Sequence, residues 1–251
     1  MLVAEFLGTG ILTLVVLSVQ RSSIGAPYFI AIAAGLAIAA ASLIFGSVSG
    51  SHFNPAITLG MWSARKIRTL PAISYVAVQL LGAWSAYGVY RYFVDADVQK
   101  ITSDFSARIL IAEAIGAFIF AVVWAAVSVQ KLSASILGVG FTISSIAASA
   151  ASIALLNPAV ALGTRAWLPW GTDVAGWGTY ALGPIIGAVI GFNLYHLLFA
   201  GSDRATTEGE TLTVAKTTIT TPKAVITKKT TVTSKPAVKA KAKTTAAKKR
   251  K

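Results

Sequence analysis

The residues best placed to do chemistry in this chain come in pairs. Asn54-Pro55-Ala56 recurs as Asn157-Pro158-Ala159, and an isolated acid precedes each: Glu5 lies 49 residues before Asn54, and Glu113 lies 44 before Asn157. Proline suits the first position of a helix and Asn the cap just before it, so each tripeptide predicts the start of a short helix. Two such helix starts facing each other would present two side-chain amides and two positive dipole ends. That pair can donate hydrogen bonds to a neutral oxygen and repel cations, and a water held by two donors is turned so that a proton wire breaks. The plainer role is a simple cap, and the doubling of the motif favours the chemistry. Glu5 and Glu113 stand in otherwise apolar stretches. A carboxylate there is either a proton relay or an acceptor for the N–H groups of non-helical backbone, and the matched placement favours the acceptor. His52, two residues before Asn54, is the side-chain type that titrates near neutrality. It either senses pH beside the motif or holds the loop by a hydrogen bond, and the second is favoured.

Other chemistries are missing their parts. The chain has no cysteine and two histidines, His52 and His196. Disulfides, zinc clusters, a catalytic thiol and a His-rich metal site are therefore excluded, and neither a metal nor a cofactor is expected. No Ser/His, Asp/Asp or His/Glu set falls on the apolar segments, so an enzyme is not expected either.

The elements that must carry these pairs are apolar helices. Of the 251 residues, 55% are hydrophobic and 12% charged, about half the charge of a soluble domain. Residues 1–200 hold 9 basic and 6 acidic residues, whereas residues 201–251 hold 13 and 3. The split gives a nearly uncharged body, 1–200, and a basic tail, 201–251. Six stretches of the body reach the roughly 20 apolar residues that a bilayer crossing needs: 2–20, 27–47, 71–94, 107–129, 132–151 and 178–199. The first contains Glu5 and lacks a basic leader, so it reads as a span and not as a cleaved signal peptide. Small residues crowd the spans and let helices approach closely. Two apolar stretches, Phe53 to Ser63 and Leu156 to Ala166, are too short to cross, and each contains an Asn-Pro-Ala. The expected fold is all-α, six transmembrane helices plus two half-helices. Each half, about 1–94 and 107–199, has three spans with a half-helix after its second, and an odd number of spans inverts the second copy.

Basic residues set the orientation. Arg65, Lys66 and Arg68 follow span 2, Lys131 follows span 4, and the tail is the most basic segment of all, whereas Asp95, Asp97 and Asp104 with Lys100 follow span 3. Both termini are therefore expected in the cytoplasm, with Arg21 and Arg165 as exceptions on the outer side. Trp167, Trp170 and Trp177 read as an aromatic belt before the last span and not as a ligand cage. The tail is rich in Thr, Lys, Ala and Val and is expected to be disordered. It can lie on anionic lipid head groups, or touch nucleic acid on charge alone, while the body is not a nucleic-acid binder.

At this point the chain resembles the major intrinsic protein family, the aquaporins and their solute-conducting relatives. The likeness covers about residues 1–200. It rests on Ala4-Glu5-Phe6-Leu7-Gly8-Thr9, on Ser49 through Gly60 around the first Asn-Pro-Ala, and on Gln79-Leu80-Leu81-Gly82-Ala83. It continues in the second Asn-Pro-Ala and Gly183-Pro184-Ile185-Ile186-Gly187. The resemblance implies a homotetramer in the bilayer with one pore per subunit, and a structural role for both glutamates. It also implies a selectivity filter at Ala34, Ser145, Ala154 and Val160, with Ser144 or Ile146 as alternatives to Ser145. Most of the family has Arg directly after the second motif, where this chain has Val160. Arg165 lies more than one helical turn further on and is not expected to replace it. Four small filter residues predict a wide, weakly discriminating entrance. The function expected is passive passage of water or small neutral solutes such as ammonia, urea or glycerol, in a plasma membrane. A secondary transporter on the same inverted plan is the alternative.

Overall fold

The computed structural model describes residues 1–22, 27–96, 98, 105–167 and 174–199, and all regular structure among them is helical. The helices are α1 (Leu2–Arg21), α2 (Pro27–Ser49), α3 (Pro55–Ser63), α4 (Thr69–Val94), α5 (Ala107–Val129), α6 (Ile136–Ala148), α7 (Pro158–Gly163), α8 (Val174–Trp177) and α9 (Gly183–Phe199), with a π-turn over Gly178–Leu182. Their ends follow local chemistry. Pro27, Pro55 and Pro158 each open a helix, where the missing N–H costs nothing. Ser106 caps α5 by accepting from Ile109 N at 3.3 Å. Leu36, Leu43, Leu70, Ile73, Val139 and Leu197 all face outward. Such apolar outer faces suit helices in hydrocarbon, where only intrahelical bonds can satisfy the backbone.

Five segments are long and apolar enough to cross a membrane: Leu2–Arg21, Pro27–Ser49, Thr69–Val94, Ala107–Val129 and Gly178–Phe199. The fifth expected span is different. Helix is expected over 132–151 but runs only over Ile136–Ala148, 13 residues, or about 20 Å at 1.5 Å per residue. Serines end it. Ser133 and Ser135 share a hydroxyl hydrogen bond of 2.8 Å, and Ser149 Oγ donates to Ile146 O at 2.7 Å. Such bonds compete with the helical ladder, and hydrogen-bonded turns carry the chain on at both ends. The half-helices begin at the prolines, as the two tripeptides predict, and α7 ends at Gly163, three residues before the end of its apolar stretch.

The two halves match element for element: α1 with α5, α2 with α6, α3 with α7 and α4 with α9. Within each half the first and last spans pack together, α1 on α4 and α5 on α9. Across halves, α2 packs on α6, α3 on α9 and α7 on α4, so each half-helix leans on the other half's last span. Two equivalent glycines permit the intra-half contacts. A Cβ on Gly82 would fall on the Phe6 carbonyl of α1, and one on Gly187 would fall on the Ala114 carbonyl of α5.

Candidate functional site

Both Asn side chains are buried, Asn54 at 3% and Asn157 at 0% exposure, and each does two things at once. Its oxygen caps its own half-helix: Asn54 Oδ1 accepts from Ala56 N at 2.8 Å, and Asn157 Oδ1 accepts from Ala159 N at 3.0 Å. Its nitrogen crosses to the other half: Asn54 Nδ2 donates to Leu156 O at 2.9 Å, and Asn157 Nδ2 donates to Phe53 O at 2.8 Å. The half-helices are thus tied together at their N-termini by reciprocal bonds. A side-chain amide has two N–H groups, so one on each Asn is left beyond these bonds.

The loops before the two Asn residues share one conformation. The third and first residues before each Asn have left-handed φ: Ser51 (61°) and Phe53 (45°) in one loop, Ala154 (55°) and Leu156 (51°) in the other. Such backbone costs about 1–3 kcal/mol per non-glycine residue and persists only where the surroundings impose it. The glutamates do so. Glu5 accepts from His52 N at 3.1 Å and Phe53 N at 2.7 Å, and Glu113 accepts from Leu155 N at 3.0 Å and Leu156 N at 2.7 Å. A serine five residues before each Asn accepts from the left-handed residue, Ser49 from Ser51 N at 3.3 Å and Ser152 from Ala154 N at 3.0 Å. Ser152 also donates to Glu113. Gly8 and Gly116, each three residues after a Glu, leave space that a Cβ would take from Phe53 and Leu156.

The halves differ in what surrounds the carboxylates. Gln79 Nε2 donates to Glu5 at 2.8 Å and to Thr58 Oγ1 at 3.0 Å. With the Thr58 proton on Asn54 O (3.1 Å), its oxygen is free to accept from His52 Nδ1 at 3.1 Å. His52 is 6% exposed and lies edge-on between Tyr75 and Trp124, at 5.1 and 5.6 Å. The ring is one member of a packed network that positions the loop. The sequence assigned no role to Gln79, Thr58 or Ser152, although the first two lie in stretches that carry the resemblance. Their signals were a polar residue in an apolar span and the repeated serine at one offset from Asn.

The four small residues assigned to the filter lie around one cavity. Ala34, Ser145, Ala154 and Val160 line it together with Leu12, Val16, Ile30, Phe141 and Leu155. Ser145 Oγ donates to Ala154 O at 2.8 Å, while Ser144 bonds back to Gly140 O and Ile146 faces outward, so Ser145 is the residue at this place. The cavity is about 10 Å³, room for about one water. Larger side chains from α1, α2 and α6, Leu12, Val16, Ile30 and Phe141, share the lining of this cavity with the four small ones. A second cavity of about 280 Å³ is lined by Gly50 and Ser51 of the first loop with Trp124, Ser128 and Lys131. One cavity thus borders each loop, and the loops meet at the Asn pair.

Arg165 is held away from the small cavity, donating to Tyr87 OH at 2.9 Å with its guanidinium 5.7 Å from that ring. Trp167 is not a belt residue: it is 6% exposed and donates to Pro158 O at 2.8 Å, whereas Trp177 is exposed. Trp170, Asp97, Lys100, Asp104 and residues 201–251 lie outside the described residues. Among those described, no cluster of three His, Cys, Asp or Glu can hold a metal.

The family model of the major intrinsic proteins matches residues 1–195. The chain is 30% identical over 194 residues to Aquaporin AqpM of Methanothermobacter marburgensis, covering 67% of this chain and 76% of that one. It is 32% identical over 200 residues to the Glycerol uptake facilitator protein-like 6 of Lactiplantibacillus plantarum, covering 74% and 92%. The X-ray structure of the aquaglyceroporin from Plasmodium falciparum has the same fold, with a TM-score of 0.66 at 20% identity over 78% of this chain and 95% of that one. The match takes in both Asn-Pro-Ala loops, both buried glutamates and the apolar helices that make this an integral membrane protein: the chain belongs to the major intrinsic protein family.

Proposed function

We propose that the chain is a passive membrane channel for water and neutral solutes of similar size, with the Asn pair at the centre of its path. The observation that carries the reading is the reciprocal bonding of Asn54 and Asn157. It fixes both amides and leaves one N–H on each for a passing oxygen. The two half-helix N-termini add positive potential against cations. Ala34, Ser145, Ala154 and Val160 form the filter, and Leu12, Val16, Ile30 and Phe141 narrow it. Room for about one water between these side chains favours water and ammonia over the larger urea and glycerol. Glu5 and Glu113 act as loop supports, since each is occupied by backbone N–H groups. Nothing in the geometry favours ion coupling, so the transporter reading has no observation of its own. The same proposal takes both termini as cytoplasmic, the plasma membrane as the location and a homotetramer as the assembly. It also lets the basic tail lie on anionic head groups.

The test is stopped-flow permeability of purified protein in proteoliposomes to water, ammonia, urea and glycerol. Gradient-driven water and ammonia flux, unchanged by swapping the salt, is expected. Saturable flux that needs a counter-ion would replace this reading by a secondary transporter.

A further inference from the structure

On the outer surface, away from the Asn pair, α3 and α4 frame a groove of about 450 Å³ lined by Leu59, Trp62, Ala72, Ile73, Val76 and Leu80. Thr69 is the polar residue of its wall, and its hydroxyl is taken, accepting from Trp62 Nε1 at 3.1 Å. From Thr69 to Leu80 the groove follows α4 for about 16 Å at 1.5 Å per residue. Trp62 and Ile73 are exposed at 46% and 61%, so a substantial apolar surface awaits cover. The groove ends at the linker joining its two helices, and that linker carries Arg65, Lys66 and Arg68, all exposed. Among the described residues the carboxylates are Glu5 and Glu113, buried on the loops, and Asp95, at the far end of α4. Among the described residues no carboxylate lies beside these three cations, which the linker carries at the end of an apolar trough.

We propose that this groove holds an acyl chain of an anionic phospholipid, with its phosphate on Arg65, Lys66 and Arg68. The charge pattern selects the occupant. A second copy docking by the same face would set its own three cations against these, and the chain's residues 201–251, with 13 basic and 3 acidic residues, are net positive. An anionic lipid supplies a long apolar chain and a fixed negative head, in the order the groove and linker present their complements. The proposal rests on the membrane setting, not on what passes the Asn pair.

The test uses Trp62 as the reporter. The full chain is reconstituted in phosphatidylcholine vesicles containing some phosphatidylglycerol, with brominated acyl chains on one lipid or the other. The Trp62 signal is the difference between wild type and Trp62→Phe. Brominated phosphatidylglycerol is expected to quench it at about tenfold lower membrane fraction than brominated phosphatidylcholine. The combined Arg65→Gln, Lys66→Gln and Arg68→Gln variant is expected to erase that preference while keeping wild-type water flux. Ala77 also lines the groove, and Ala77→Phe, which fills it from α4, is expected to reduce quenching by either lipid. Equal quenching by the two lipids, or a preference that survives the Gln variant, overturns the proposal. Loss of the preference on adding inorganic phosphate at constant ionic strength replaces it with a free-anion site. Dissociation of the oligomer by Ala77→Phe makes the groove a contact between copies and overturns it too. A protein that passes no water, yet shows the lipid preference, would sink the channel reading and leave this one standing.

Discussion

Phe141 is the bulkiest side chain lining the small cavity. It is 2% exposed and meets Phe120 edge-on, with ring centroids 5.2 Å apart. Phe141→Ala removes that bulk and is expected to raise glycerol and urea permeability about tenfold relative to water, a barrier lower by about 1.4 kcal/mol. Solute-resolved stopped-flow flux checks it, and an unchanged glycerol-to-water ratio would move the constriction elsewhere. Glu113 poses a second question at this scale. Its oxygens face the N–H groups of Leu155 and Leu156 and the Ser152 hydroxyl. Glu113→Gln puts an NH₂ against donors and leaves a buried N–H unsatisfied, at about 1–3 kcal/mol. A fall of about 2–12 °C in the thermal midpoint in detergent follows. A midpoint that holds while proton flux changes would make Glu113 a relay. The paired residues of the site were legible because type and offset repeat: Asn54 with Asn157, Glu5 with Glu113. The lining by Leu12, Val16, Ile30 and Phe141 was not, since an apolar residue on an apolar helix carries no mark of which one faces a path.

The helices themselves were legible where a single physical rule decides them. Apolar length places α1, α2, α4, α5 and α9, and proline after Asn places the starts of α3 and α7. Where two tendencies compete, the outcome depends on tertiary partners. The serines flanking α6 draw its ends into turns, and the π-turn over Gly178–Leu182 leaves no trace in the hydropathy pattern. The helix crossings give a controlled comparison. Gly82 and Gly187 face carbonyls of α1 and α5 across the tightest intra-half contacts, whereas nothing lies within 4 Å of a Cβ on Gly88 in the same α4. Gly82→Ala and Gly187→Ala are expected to force α4 from α1 and α9 from α5, lowering the folded yield and thermal midpoint. Gly88→Ala is expected to leave both unchanged or slightly raised, because Ala favours helix over Gly by about 1 kcal/mol. Fluorescence-detected size-exclusion after heating reads all three, and equal behaviour of Gly88→Ala and Gly187→Ala would mean the crossing is not close-packed.

At the scale of the whole molecule, charge divides the chain. The family match ends at residue 195, and the body to residue 200 holds 9 of the 22 basic residues. The remaining 13 fall in residues 201–251 beside three acids, with a Thr, Lys, Ala and Val composition that offers no aromatic side chain for a core. The reciprocal bonds of the Asn pair and the glutamate bonds that hold both loops come from residues 5–157. Conduction is therefore expected to need none of the tail. A chain ending near Gly201 should insert, assemble and pass water at the wild-type rate per molecule, counted by quantitative blot of the same vesicles. The expected change lies in membrane context. If the tail rests on anionic head groups, each basic residue adds about 1 kcal/mol of surface attraction at low salt and less at high salt. The full chain and the truncated one should then differ in yield of inserted protein from anionic vesicles at low ionic strength, and converge as salt rises. A fall in flux per inserted molecule on truncation would contradict this and make the tail part of a gate. The groove at Arg65, Lys66 and Arg68 remains in the shortened chain. Its lipid preference should be the same in both lengths, which separates the two basic regions by experiment.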